Sequence, residues 1–171
     1  MTEDEILEDM RRILLSDKNA GEPVGWSTGS GRDSLILTTP LEVLSPSVGT
    51  ARLVLRAVRG SSDRNCSATL VVTIQGRDLR AWRMDWRPVH EHTNRCGPKE
   101  LRGLVSQTGI HEFECNAGLG LARMQAEDLP LCIPLTDEPH NFDAFVRLVC
   151  AKLNIAPTEP VLSPPWSPTL F

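Results

Sequence analysis

The stretch SATLVVTIQGRDLRAWRMDWR, residues 67–87, decides the fold. Its first half, Ser67 to Gln75, is an apolar, β-branched run through Leu70, Val71, Val72, Thr73 and Ile74, which suits a buried pleated surface. Gly76 and Arg77 mark a turn, where glycine takes positive φ without a steric cost. The second half, Leu79 to Arg87, alternates. Trp82, Met84 and Trp86 share one face, and Arg83, Asp85 and Arg87 share the other, because successive strand side chains point to opposite sides. Two such strands around a tight turn form a central β-hairpin with an apolar and a charged face. Pro88 ends the ladder because it has no N–H to donate.

On either side of the hairpin the same alternation recurs. Thr50 to Arg59 places Leu53 and Leu55 on one face and Arg52, Val54 and Arg56 on the other. Ser34 to Thr38 reads as a short strand stopped before Pro40. Gly109 to Asn116 reads as a strand with His111, Phe113 and Cys115 on one side. Leu129 to Leu135, broken by Pro130 and Pro134, is an edge or a coil. Residues 17–32 read as a loop around Trp26, and Val89 to Leu104 as polar irregular chain.

Helices bracket these strands. Residues 2–16 carry a capping box, Thr2 with Glu5, ahead of an apolar face of Ile6, Met10, Ile13 and Leu14. Asn141 caps a second helix over 142–153, whose face is Phe142, Phe145, Val146, Val149 and Leu153. The order helix, strands, helix predicts an α+β fold. It is an antiparallel β-sheet with the N-terminal and C-terminal helices packed on it, one domain over 1–155. A proline-rich tail follows over 156–171, extended or polyproline-like. Its Trp166 and Phe171 favour packing back on the domain, with docking to a partner as the alternative.

Composition narrows the function classes. The chain of 171 residues is 40% hydrophobic and 23% charged, ordinary for a globular domain. No apolar run is long enough to span a membrane, and the acidic start lacks the marks of a signal peptide; a cytoplasmic location is expected. Five cysteines without a CxxC pair imply reduced thiols. The net charge of −4 is unevenly spread: residues 51–102 carry eleven basic and five acidic side chains. Ten of those eleven are arginines, suited to carboxylate or phosphate recognition, unless the acidic ends fold back and neutralise them.

The segment Arg83 to Asn94 concentrates the candidate site. Arg83, Asp85, Arg87, His90, Asn94 and His111 are the expected binding residues. For catalysis the candidates are His90, His92, His111 and Arg83, with a histidine taking a proton from an RNA 2′-OH and arginine steadying the phosphorane. No metal and no cofactor is expected. His90, His92 and Cys96 lack a zinc spacing, and on one strand His111 and Cys115 would lie about 13 Å apart at ~3.3 Å per residue. Cys115 with His111 is the one thiol pair worth considering.

The run from Arg83 to His90, then Thr93 and Asn94, Gly103, Gly109 to His111, and Leu153 to Ile155 resembles an uncharacterised family of small bacterial, phage and mobile-element proteins. That family shows an R-x-D strand, an H-x-N turn, a G-x-H-x-H strand and a late helix ending in N-I. Phe113 stands where the family has its second histidine. The resemblance implies a prokaryotic or mobile-element setting and no assigned activity. Three functions are therefore expected. The first is a non-enzymatic binding or regulatory protein of counter-defence type, holding nucleic acid or a protein partner on the arginine face. The second is a toxin-like, metal-independent endoribonuclease. The third is an adaptor docking by its N-terminal helix and its tail. A homodimer joined through the tail aromatics is a further expectation.

Overall fold

The computed structural model describes residues 1–22, 24–46, 49–156 and 164–166. Along the chain come α1 (Glu3–Leu15), β1 (Lys18–Ala20), β2 (Val24–Thr28), β3 (Ser34–Val43), β4 (Gly49–Val58), β5 (Cys66–Ile74) and β6 (Arg77–Trp86). They are followed by β7 (His92–Thr93), β8 (Val105–Ser106), β9 (Gly109–His111), α2 (Phe113–Ala117), α3 (Leu121–Ala126), β10 (Ile133–Pro134) and α4 (Phe142–Lys152). The main sheet is antiparallel, in the order β1-β3-β4-β5-β6-β9-β10, with β2 also on β3. β7 and β8 form a separate ribbon. The fold is α+β, as its sequence pattern predicts.

The core lies under one face of the sheet. Leu53 and Leu55 of β4, Leu70 and Val72 of β5, and Trp82, Met84 and Trp86 of β6 are all buried there. Above them lie Ile6, Met10 and Ile13 of α1, and Phe145 and Val149 of α4. Trp86 stacks on Phe145 with ring centres 5.1 Å apart, and its indole N–H donates to Pro139 O at 2.9 Å. Both expected caps form: Thr2 and Glu5 close their box, and Asn141 accepts from Ala144 N. Trp166 packs edge-on against Phe142, 5.3 Å between ring centres. This part of the tail therefore folds back in cis. The remaining tail residues, 157–163 and 167–171, lie outside the described residues.

Several sequence expectations are corrected. β3 runs through Pro40 to Val43 instead of stopping at Thr38. Pro40 O accepts from Gly21 N, so the proline nitrogen faces that same side, where β2 and β1 leave a gap, and no ladder bond to β4 is lost. Residues 17–32 hold β1 and β2, not only a loop. The strand from Gly109 stops at His111, and Phe113–Ala117 is helical. The pattern Phe113, Asn116 buries one side of a helical turn, a period that the short alternation had masked.

The hairpin turn is Gln75–Gly76, with φ of 50° and 73°, one residue earlier than Gly76–Arg77. Two left-handed residues in a two-residue turn favour Asn-Gly. Replacing Gln75 by Asn should therefore stabilise the protein by about 0.5 kcal/mol, read as a higher urea midpoint with an unchanged slope.

Candidate functional site

The site begins with an irregularity. β5 and β6 shift register between Leu70 and Val71, which face Trp82 and Arg80 and leave Ala81 as an extra residue. Before this bulge Asp78 and Arg80 face away from the core; after it Arg83 and Asp85 do. A bulge moves the face on which alternate residues fall. Without it Arg80 and Arg83 could not share a side.

The outward face of β4–β6 is consequently a polar mosaic in rows. Arg56, Ser67 and Asp85 oppose one another across three strands; so do Val54, Thr69 and Arg83; so do Arg52, Val71 and Arg80. These residues line an open groove of about 560 Å³, with Asp78 and Asp128 at its edges. Arg52 forks onto Asp78 at 2.6 and 3.0 Å. Arg52, with the Thr73 hydroxyl, draws the Asp78 carboxyl down to about 2. Arg83 donates to Asp128 Oδ2 at 2.7 Å and to Asp85 Oδ2 at 3.0 Å. Arg80 Nε lies 3.0 Å from Asp128 Oδ1. Among the described groove residues, Arg56 is the arginine with no carboxylate partner, and it is exposed.

Beside the groove the face is covered. His111, opposite Arg83 on β9, is 0% exposed. Its Nδ1 lies 2.5 Å from Leu129 O, which can only accept, so Nδ1 carries a proton. Nε2 lies 3.0 Å from Asp85 Oδ2 and 2.8 Å from an Arg83 nitrogen. Burial and the adjacent Arg83 charge oppose the charged ring, but the hydrogen bond to Asp85 and contact with the Cys132 thiol outweigh them, and its pKa rises to about 9. Burial likewise opposes the Asp85 charge, and the His111 hydrogen bond with the Arg83 charge overcomes it, holding that carboxyl below its ordinary value. The result is a charge cluster in which Asp85 sits against both His111 and Arg83, and Asp128 takes the far side of Arg83.

This cluster holds a strained wall. Asp128 and Leu129 take φ of 55° and 57°, left-handed positions that cost non-glycine residues about 1 kcal/mol or more each. Arg83 donates to Asp128 O and His111 to Leu129 O, so the two cations clamp both strained peptides. Two asparagines fix the chain that follows. Asn116 bonds both the N–H and the carbonyl of Leu131, and Asn94 does the same to Cys132.

The expected residues thus separate. Arg83, Asp85 and His111 come together, with His92 against them, its ring centre 5.0 Å from that of His111. Burial and the nearby His111 charge lower the His92 pKa, and its Nε2 bonds Asn94 Oδ1 and Pro130 O. Asn94 is buried with its amide fully used. His90 is exposed on the loop after β6, apart from the cluster. Arg87 leaves the face: its φ of 46° breaks the alternation, and it turns to Glu138 and Asp63 O. Part of the acidic C-terminal third does fold back on the basic middle, through Asp128 and Glu138.

The thiol that meets His111 is Cys132, not Cys115. Cys115 sits on α2, where burial and then Glu112 and Glu114 push its thiol up. Cys132, His111 and Asp85 have the residue types of a nucleophilic triad, but Cys132 is 1% exposed and does not line the groove. Among the described residues no His, Cys, Asp and Glu cluster could hold a metal ion, and no helix is long and apolar enough to cross a membrane. Ser67, Thr69, Asp78 and Arg80 are site residues that the sequence pattern alone does not single out. The local signal for Arg80 is the doubled apolar pair Ala81-Trp82, which marks the bulge. No protein-family model matches the chain, and no curated protein or solved structure matches it either.

Proposed function

We propose that the protein is a non-enzymatic binding module that seats a partner protein in the groove on the outer face of β4, β5 and β6. One observation carries this reading: the groove arginines, Arg56 excepted, are already matched to aspartates on an open sheet face. Nucleic acid binding draws its affinity from unneutralised cations that displace counterions. A self-neutralised Arg–Asp mosaic over Val54 and Val71 has little of that to offer. It offers instead arginines, the charged residue enriched at protein interfaces, beside the apolar Val54 and Val71.

Catalysis finds less support. A general base must reach its proton and be unprotonated; His111 is sealed and its pKa of about 9 keeps it charged. The adaptor reading loses ground because the apolar face of α1 is spent on the core and Trp166 is seated on Phe142. In the prokaryotic or mobile-element setting that the resemblance implies, a regulatory or counter-defence role is the one we favour.

The test is nuclease-treated affinity capture with the wild-type chain and with Val71→Arg, which fills the groove floor. The expected result is a protein retained by wild type and lost from a variant of unchanged circular dichroism. Equal retention by both, or loss of the bound material on nuclease treatment, would overturn the proposal.

A further inference from the structure

We infer that the groove contains an anion subsite, built from Arg56, Ser67, Thr69 and the Nε of Arg83, that takes a carboxylate side chain of the partner. This rests on the binding reading above and names the chemistry of the contact. Four polar groups in two adjacent rows of one cavity lack protein partners among the described residues. The Arg56 guanidinium is exposed and unpaired, and Ser67 faces it directly across the β4–β5 ladder. The next row holds Thr69, whose hydroxyl is unpartnered, opposite Arg83. Arg83 uses both terminal nitrogens on Asp85 and Asp128, while its Nε is buried with no acceptor. A buried donor left unsatisfied is uncommon.

Rows on one strand face lie about 6.6 Å apart, and neighbouring strands about 4.8 Å. Arg56, Ser67, Thr69 and Arg83, which line one cavity, therefore stand within a side chain's reach of a single small anion. A single carboxylate would pair Arg56 and accept from the two hydroxyls, and a small shift of the Arg83 side chain would turn its enclosed Nε–H onto the same oxygens. Its methylenes would rest on Val54 and Val71, which line the same cavity. Charge selects a carboxylate over a phosphate. Three aspartates, Asp78, Asp85 and Asp128, already line the groove. A dianion would meet their repulsion with only one uncommitted guanidinium to offset it. A run of phosphates would fare worse.

The experiment is a side-chain NMR titration of the full ¹⁵N-labelled chain, following arginine Nε–H signals. The probes are doubly blocked glutamate, its glutamine isostere and doubly blocked phosphoserine. Blocked glutamate should shift Arg56 and Arg83 saturably, with a millimolar dissociation constant, and the isostere should not. Arg56→Gln, at an exposed unpaired site that the fold does not need, should weaken this binding about tenfold. Absent or non-saturable shifts, equal shifts with the isostere, or tighter binding of blocked phosphoserine would each overturn the assignment. The two readings fail separately. A partner lost with Val71→Arg while glutamate leaves Arg83 unmoved removes only the subsite. Saturable glutamate binding in a protein whose partner ignores Val71→Arg removes only the partner site.

Discussion

His111→Ala is expected to lower stability by about 3 kcal/mol, because it empties a buried ring site and removes one of the two cations that hold Asp85. Asp85 keeps Arg83 at 3.0 Å but loses the His111 hydrogen bond, and the left-handed peptide at Leu129 loses its donor. In a domain of this size that is a melting temperature lower by roughly 10 °C. The pH dependence carries a sign. The folded pKa of about 9 lies above the free-ring value of 6.5. The His111 contribution is therefore complete below pH 6.5 and is lost as pH rises through 9. Asp85, with its pKa lowered from 3.8, contributes above that value and loses its share as pH falls through the folded one. The difference in melting temperature between wild type and His111→Ala should accordingly shrink from pH 6.5 to pH 9.5. Scanning calorimetry across that range measures it.

Lys18→Met should be about as damaging. Lys18 is 0% exposed, and its ammonium donates to Leu14 O, Ser16 O and Leu153 O at 2.7–2.8 Å. It thereby joins the ends of α1 and α4 to β1. Methionine fills the volume but leaves three carbonyls without a donor, each costing about 1–3 kcal/mol. Against this stands the relief of a buried charge, since burial draws the Lys18 pKa down to about 8. The net loss is about 3 kcal/mol, read as a fall in urea midpoint. Above pH 8 the wild-type penalty for the charged lysine fades, so the variant should lose further ground there.

Much of this architecture is legible in local pattern. The alternation of Trp82, Met84 and Trp86 with Arg83 and Asp85, the Thr2–Glu5 box and the Asn141 cap each depend on residues within a turn or a strand of one another, and each forms. Arg83, Asp85 and His111 were readable as chemistry-bearing, and they meet. What escaped depends on contacts far along the chain. Asp128 reaches Arg83 over 45 residues and Lys18 reaches Leu153 over 135, and no spacing announces either. The bulge at Ala81 moved Arg80 onto the site face, and the positive φ of Arg87 moved that residue off it. Asn94 looked like a binding group because a polar side chain in a loop is usually exposed. It is buried because its amide pairs both the N–H and the carbonyl of Cys132, 38 residues along the chain.

Binding rather than catalysis at this face turns on the state of His111. Imidazole ¹⁵N NMR across pH 5–10 reads that state directly. A sealed clamp predicts both ring nitrogens protonated at pH 7, protected from solvent exchange, with titration near 9. A neutral, exchanging ring that titrates at or below 6.5 would contradict it and return the site to acid–base chemistry.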